Sequence, residues 1–259
     1  MRVVHHYGAR PEFVVLGGLV PELLCSNSAF HHAGATDVDV QVDLEIACGS
    51  VNTVRLESAL RNADFVPSAD KVWRWQARGG SAGVIVKFEL LADLDYSPSE
   101  ATIAFDGCDD LGALNLRGTG FAAEDVVVLS LAAHIDGVRY DVEVNVTGLA
   151  GFLLAKTAAA YSRRLPKDWY DIAFVLLHSN RGGPHVAGRE VVDRFGDALR
   201  GSVRTALGDL VANFETPSAQ GSQAYVSQIA QDHPEIGAAE AAADAVAAVR
   251  EFHATVLPE

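Results

Sequence analysis

Hydrophobic and polar residues alternate along several stretches in the first half of the chain, and this period-two pattern predicts β-strands. The clearest is "TDVDVQVDLEI", in which valine and leucine side chains alternate with carboxylates. Strands are also predicted for "EFVVLGG", "AGVIVKFELLADL" and "GVRYDVEVNV", and helices for "LVPELLCS" and "TVRLESALRNA". Residues 101–131 have a weaker pattern, which predicts short strands and one helix.

The pattern changes after residue 147, where alternation ends and alanine and leucine recur at helical spacing. "GLAGFLLAKTAAAYSRRL" predicts a helix that ends at Pro166, and the same proline begins the next helix, "PKDWYDIAFVLLH". The alanine-rich stretch "GAAEAAADAVAAVREFHATVL" predicts a closing helix. We therefore expect an α/β fold, with a mixed β-sheet domain over residues 1–147 and an α-helical domain over residues 148–259.

Composition narrows the class of protein. The chain has 259 residues, of which 49% are hydrophobic, and a net charge of -14. That charge argues against a broad electrostatic footprint for nucleic acid and is compatible with a basic protein partner. We expect a cytoplasmic protein with no membrane association, because the chain has no long apolar run, no signal-like N-terminus and only three scattered cysteines.

The clearest strand raises an electrostatic question, because it places like charges together. Asp37 and Asp39 are two residues apart, so in a strand they point to the same face about 7 Å apart. Such a pair suits Mg²⁺, which takes one or two carboxylates together with substrate phosphates. The plainer interpretation is the polar outer face of a half-solvated strand. Gly17 and Gly18 follow another strand and precede a helix, a geometry that lets backbone N–H groups approach a phosphate, although tight turns use double glycines too.

The helical half supplies cations. Lys156 lies in an otherwise apolar stretch, where a lysine is costly to bury without an anionic partner. Lys156, Arg163 and Lys167 fall close to one helical face, and Asp168 and Asp171 follow one turn apart. The alternative interpretation of this segment is a surface helix with ordinary charge pairs.

Three segments in this order carry a family resemblance: "VVLGGLVPELL", then "TDVDV", then "LLAKTAAAYSRRLPKDWYDIAFVLL". Together they resemble the abortive-infection (AbiEii-type) nucleotidyltransferases. That family is similar to the toxins of type IV toxin–antitoxin systems and belongs to the DNA polymerase β-like nucleotidyltransferase superfamily. The resemblance covers roughly the first 180 residues. It implies a nucleotidyltransferase-fold mixed sheet followed by helices, and an enzyme that transfers a nucleoside monophosphate from an NTP, such as ATP, and releases pyrophosphate.

The same resemblance implies roles for individual residues. Asp37 and Asp39 would ligate magnesium, and Gly17 and Gly18 would approach the nucleotide phosphates. Lys156 would contact the triphosphate. The remaining implied residues lie close to it in sequence: Arg163 and Lys167 would help to bind the nucleotide, while Asp168 and Asp171 would orient Lys156 or bind the metal or the acceptor.

The sequence departs from the family pattern in two places. Leu19 follows the glycines where the superfamily often has serine or threonine, so backbone donors would have to replace a hydroxyl contact. The third strand carboxylate is also not obvious. Glu89 is our choice, because its parity is opposite to that of the apolar residues of its strand, and Asp93 and Asp141 are the other options. A third acid of this kind would accept the acceptor's proton or complete the metal site.

Relatives suggest a tRNA end, a protein side chain or a small molecule as the acceptor. We expect a toxin of a toxin–antitoxin system that modifies a tRNA end or, second, a protein side chain, with a cognate antitoxin as a possible partner. One alternative is a catalytically degenerate protein that only binds a nucleotide or a partner. Another is a standalone small-molecule nucleotidyltransferase of the aminoglycoside-modifying type.

Overall fold

The computed structural model describes residues 1–33, 37–41, 51–79, 84–135 and 137–258, and for residues 37–41 it describes the backbone alone. The chain divides into two compact units, each of which consists of two segments. Unit 1 comprises Met1–Leu19 and Ala35–Thr147, and unit 2 comprises Val20–Gly34 and Gly148–Glu259. The predicted boundary at residue 147 did not anticipate that the segment Val20–Gly34 would belong with the C-terminal helices.

Unit 1 is built on a mixed sheet, and the α/β fold class with a mixed sheet before the helices is confirmed. The main path through the described strands runs β3-β4-β5-β2-β1-β9-β8, and β7 joins β5 and pairs with β6. Neighbouring strands run parallel at β1/β9, β2/β5 and β5/β7 and antiparallel elsewhere. The strands are β1 Val14–Leu16, β2 Asp37–Gln41, β3 Val66–Pro67, β4 Arg74–Gly79, β5 Val84–Ala92, β6 Thr102–Ala104, β7 Gly112–Asn115, β8 Val126–Ile135 and β9 Val138–Thr147.

The alternation pattern did not predict β3 or β4, and it predicted only the first part of β8, as one of the short strands of residues 101–131. In β4 the buried Trp75 follows the charged Arg74 and packs in the core beside Phe88 of β5. In β8 the first three residues are all valine, so no alternation marks the start of the strand. The predicted continuation of β2 to residue 46 lies outside the described residues.

The described part of unit 1 contains the helices α1 Arg2–Tyr7, α3 Val51–Asn62 and α4 Gly120–Glu124. The loop after β5 is fixed by one buried amide, that of Asn115 at the end of β7. Its Nδ2 donates to the carbonyl oxygens of Leu94, Ser97 and Pro98, and its Oδ1 accepts the N–H of Leu94. This network holds the chain where it leaves the strand that carries Glu89.

Unit 2 is helical. Its central helix, α6, is buried from Asp168 to Leu176, which explains why nearly every residue there is apolar or aromatic. Arg164 ends α5 in the left-handed conformation, and Pro166 then starts α6. None of the described helices combines the length and apolarity needed to cross a bilayer. The helices are α2 Val20–Leu24, α5 Leu149–Arg163, α6 Pro166–His178, α7 Pro184–Phe195, α8 Gly201–Asn213, α9 Gln220–Asp232 and α10 Ala238–Val256.

Candidate active site

The double glycine forms the turn that follows β1. Gly17, Gly18 and Leu19 make one turn of 3₁₀-helix, and Gly17 is buried with a φ of 78°. A side chain would strain the backbone at that positive φ, so the turn requires glycine at this position. The turn places the backbone of Gly17 directly after Leu16, whose Cα pairs with that of Asp39.

The aspartate pair lies on the strand between β1 and β5. The parallel register of β2 and β5 sets Asp37 opposite Lys87 and Asp39 opposite Glu89. Residues directly opposite in neighbouring strands lie on the same face of a sheet, so these four positions share one face. The register thus joins the predicted aspartates to the residue that we chose as the third carboxylate.

Cations occupy the same rows of the sheet. Arg74 of β4 pairs in register with Glu89, and its Nε forms a hydrogen-bonded ion pair with Glu89 Oε1. Lys87 is the register partner of Asp37. Lys87 beside Asp37 and Arg74 beside Glu89 therefore offset part of the like-charge repulsion even without a metal.

The other two options for the third carboxylate have different surroundings. Asp93 Oδ2 accepts the backbone N–H groups of Gly118 and Gly120, at 2.8 and 3.0 Å, and so fixes the start of α4. Asp141 is exposed on β9, with its Oδ1 3.4 Å from Nη2 of Arg139. Of the three options, only Glu89 has β2 as its neighbouring strand.

Unit 2 contains a buried acid–base network around Lys156. Its Nζ lies 3.0 Å from Oδ1 of Asp168 and 2.6 Å from Oδ2 of Asp171. Burial opposes a charge on Lys156, but the two aspartates outweigh burial and raise its pKa above the ordinary value. Burial likewise opposes a charge on Asp171, but Lys156 and His32 outweigh burial and lower its pKa. Lys156 and Asp171 are therefore both charged at neutral pH.

The two cations predicted to help Lys156 have different surroundings. Arg163, in the last turn of α5, donates from Nε and Nη2 to the two oxygens of Asp168, both at 2.8 Å. Lys167 is exposed and lines an open groove of about 710 Å³ together with Arg164, Trp169 and Tyr170. The bidentate pair makes Arg163 part of the network, whereas Lys167 lies at the surface.

Sequence reasoning missed two members of this network. The Nε2 of His32 lies 2.9 Å from Oδ1 of Asp171, with both side chains buried, and the ring stacks on Tyr170 at 4.9 Å between centroids. The Tyr170 hydroxyl accepts the backbone N–H of Ala33. His32 is 139 residues from Asp171 in the chain, so no spacing rule could connect them.

The predicted site residues thus form two groups. One consists of the Gly17–Gly18 turn and the register row of Asp39 and Glu89 in unit 1, and the other is the Lys156 network in unit 2. That both groups hold one nucleotide remains a prediction. Among the side chains that the structure describes, which exclude Asp37 and Asp39, no three His, Cys, Asp or Glu residues form a cluster that could hold a metal ion.

No family model matches this chain, and no curated protein matches it. Two solved structures are similar over 99% of its length. One is JHP933 from Helicobacter pylori, with 13% identity, 90% of that chain covered and a TM-score of 0.47. The other is described as a candidate nucleotidyltransferase from H. pylori, with 13% identity, 92% covered and a TM-score of 0.46.

Proposed function

We propose that this protein is a magnesium-dependent nucleotidyltransferase, which transfers a nucleoside monophosphate from an NTP to an acceptor hydroxyl. The observation that carries the proposal is the register of β2 and β5, in which Asp39 pairs with Glu89 one strand away from the Gly17 turn. Three carboxylate positions, Asp37, Asp39 and Glu89, then lie on two neighbouring strands of one face. Phosphoryl transfer commonly uses such a cluster of hard oxygen donors to hold the metal ion that neutralises phosphate charge.

These residues fit Mg²⁺ by their chemistry, because the cation prefers oxygen ligands and commonly takes one or two carboxylates. Asp37 and Asp39 would hold it, with Glu89 as the third acid. When bound, Mg²⁺ neutralises charge on the triphosphate and on the leaving pyrophosphate. It would also give the adjacent carboxylates an opposite charge, beyond that of Lys87 and Arg74.

In the proposed reaction the acceptor oxygen bonds to the α-phosphorus as the bond from that phosphorus to the bridging oxygen breaks. Pyrophosphate leaves with the bond's electron pair, and the acceptor's proton passes to a carboxylate, for which we propose Glu89. The Gly17–Gly18 turn approaches the phosphates. We retain Lys156, with Arg163 and Lys167 as helpers, as the proposed triphosphate contacts, while Asp168 and Asp171 orient Lys156.

The proposed acceptor is a tRNA end, with a protein side chain second, and the proposed biological role is that of a toxin with a cognate antitoxin. The net charge of -14 supports a partner with a basic surface. Expression without a partner tests the role: a toxin arrests growth, whereas an aminoglycoside-type enzyme leaves growth unchanged and protects against the drug.

The test of the reaction is label transfer from an α-labelled NTP to a cell extract and to purified tRNA. We expect Asp39→Asn to reduce labelling about 100-fold or more, or roughly 3 kcal/mol in the barrier. Asp141→Asn, an exposed acid on β9, is the matched control and should label like the wild type. Equal labelling by Asp39→Asn and the wild type would exclude the proposal.

One observation favours a second function, a nucleotide-binding protein without transferase activity. Glu89 is already ion-paired with Arg74, so the third carboxylate has a protein cation as its partner. Calorimetry with NTP and Mg²⁺, run beside a pyrophosphate-release assay, separates the two functions. Heat of binding with no pyrophosphate in any acceptor mixture would favour the binding protein.

A further inference from the structure

The two ends of the main sheet path differ in a way that the proposed reaction does not explain. At one end β3 has only two residues, Val66 and Pro67, and proline cannot donate to a further strand. At the other end β8 runs for ten residues, Val126–Ile135, and among the described strands it pairs only with β9. Long unprotected edges invite pairing with another chain, and proteins usually shorten them or place charges on them.

β8 has none of these protections. The sequence from 126 to 135, "VVVLSLAAHI", contains no Asp, Glu, Lys, Arg or Pro, although 21% of the whole chain is charged. Its first half is exposed on both faces, because Val127 and Val128 point to opposite faces and are 45% and 43% exposed. Apolar side chains and outward-facing backbone groups therefore meet along one strand.

The charge distribution favours a second copy of this chain as the occupant. An uncharged strand can pair antiparallel with itself without setting like charges opposite each other. The nearest exposed charges are Glu124, two residues before the valine run, and the row Arg139, Asp141 and Glu143 on β9. The two copies of Glu124 would lie at opposite ends of the antiparallel valine pair. In a two-fold pair the β9 strands would be three strand spacings apart, about 14 Å. That exceeds the Debye length of about 8 Å at physiological salt, so repulsion between the two β9 rows opposes the pairing only weakly.

We propose that β8 is a homodimer interface, in which the valine run Val126–Val128 pairs antiparallel with the same run of a second copy and continues the sheet across a two-fold axis. Two-fold pairs of identical surfaces are the commonest oligomers. The strand has no Asp, Glu, Lys or Arg side chain that could select one foreign protein over another. This proposal does not depend on the transferase activity.

The test is sedimentation velocity over a range of protein concentrations, with the full chain. We expect the wild type to be a dimer at micromolar concentrations and Val128→Lys to be a monomer, because each copy would place a lysine charge inside the paired valine run, opposite Val126 of the other copy. The matched control is Val66→Lys at the opposite edge, where Val66 is 56% exposed; this variant should remain a dimer. Circular dichroism of each variant verifies folding.

Amide hydrogen exchange of the wild type gives a second measurement that needs no variant. Exchange of residues 126–130 should slow as protein concentration rises, whereas β3 should show no such dependence. A wild type that is a monomer throughout the range would overturn the proposal. So would a Val128→Lys variant that dimerises like the wild type, or a monomeric wild type that captures a different partner on β8.

Discussion

The two acidic motifs of this protein have different charged neighbours. In unit 2, Asp168 and Asp171 are buried, and protein cations contact both of them at 2.6 to 3.0 Å. In unit 1, the register sets Asp39 opposite a third acid, Glu89, so that like charges share a row of the sheet. We therefore expect the first pair to contribute mainly to stability and the second to the proposed reaction, because the row of Asp39 and Glu89 holds two acids and one cation, Arg74.

The largest effect on stability is expected when the central cation of unit 2 is removed. Lys156→Met should lower the free energy of unfolding by about 3–5 kcal/mol, because it leaves Asp168 and Asp171 buried without their shared partner. Urea denaturation followed by circular dichroism measures this loss. Lys167→Met, at the exposed lysine of the next helix, is the control and should stay within about 0.5 kcal/mol of the wild type.

A loss below about 1 kcal/mol for Lys156→Met would contradict the structural role. It would mean that the carboxylates relax toward water or take up protons at little cost. The role of Lys156 in binding a triphosphate would then be the better explanation for a lysine at this position.

A second prediction for unit 2 concerns its stability in acid, through the half-buried side chain of His178. Burial, aided by the charge of His233, lowers the pKa of His178 to about 4. Between about pH 6.5 and pH 4, His178 therefore binds a proton in the unfolded chain but not in the folded chain. The free energy of unfolding falls as the pH drops through this range. After allowance for partial solvent exposure we expect a loss on the order of 1 kcal/mol by pH 5.

Urea denaturation at pH 7, 6 and 5 measures this slope, and His178→Gln should flatten it. The His178 ring lies 4.8 Å from that of Phe30, and its Nε2 is 3.1 Å from the Tyr225 hydroxyl, so the variant is itself expected to be less stable. An unchanged slope in the variant would assign the acid sensitivity to another group.

The smallest change in stability is expected in unit 1. Asp39→Asn should alter the free energy of unfolding by less than about 0.5 kcal/mol, or raise it slightly, because it relieves a like charge opposite Glu89. The same variant is the one expected to abolish labelling. A destabilisation of 2 kcal/mol or more in urea would show that Asp39 is a structural acid like Asp168.

Most elements of the fold followed from periodicity, because each of those segments buries one face. β2, β5 and β9 alternate, and the helices after residue 147 repeat at helical spacing. β8 was predicted only in part, since its run of three valines is exposed on both faces and shows no alternation. The grouping of Val20–Gly34 with unit 2 depends on long-range contacts, which local patterns do not contain.

Local sequence patterns likewise predicted only some residues of the candidate site. Local spacing pointed to the aspartate pair, to the buried lysine and to Glu89. Arg74 and His32 were missed, because each meets its carboxylate through tertiary structure. Pairing across strands is set by register, and register cannot be deduced from one strand's sequence.

The amide of Asn115 has a consequence for the chemical ageing of the protein. Hydrolysis of this side chain to a carboxylate would replace a donor group with an acceptor, and that carboxylate would then face three carbonyl oxygens of the loop after β5. The repulsion between these oxygens would release the loop. Deamidation at this one residue would thus loosen the end of the strand that carries Glu89.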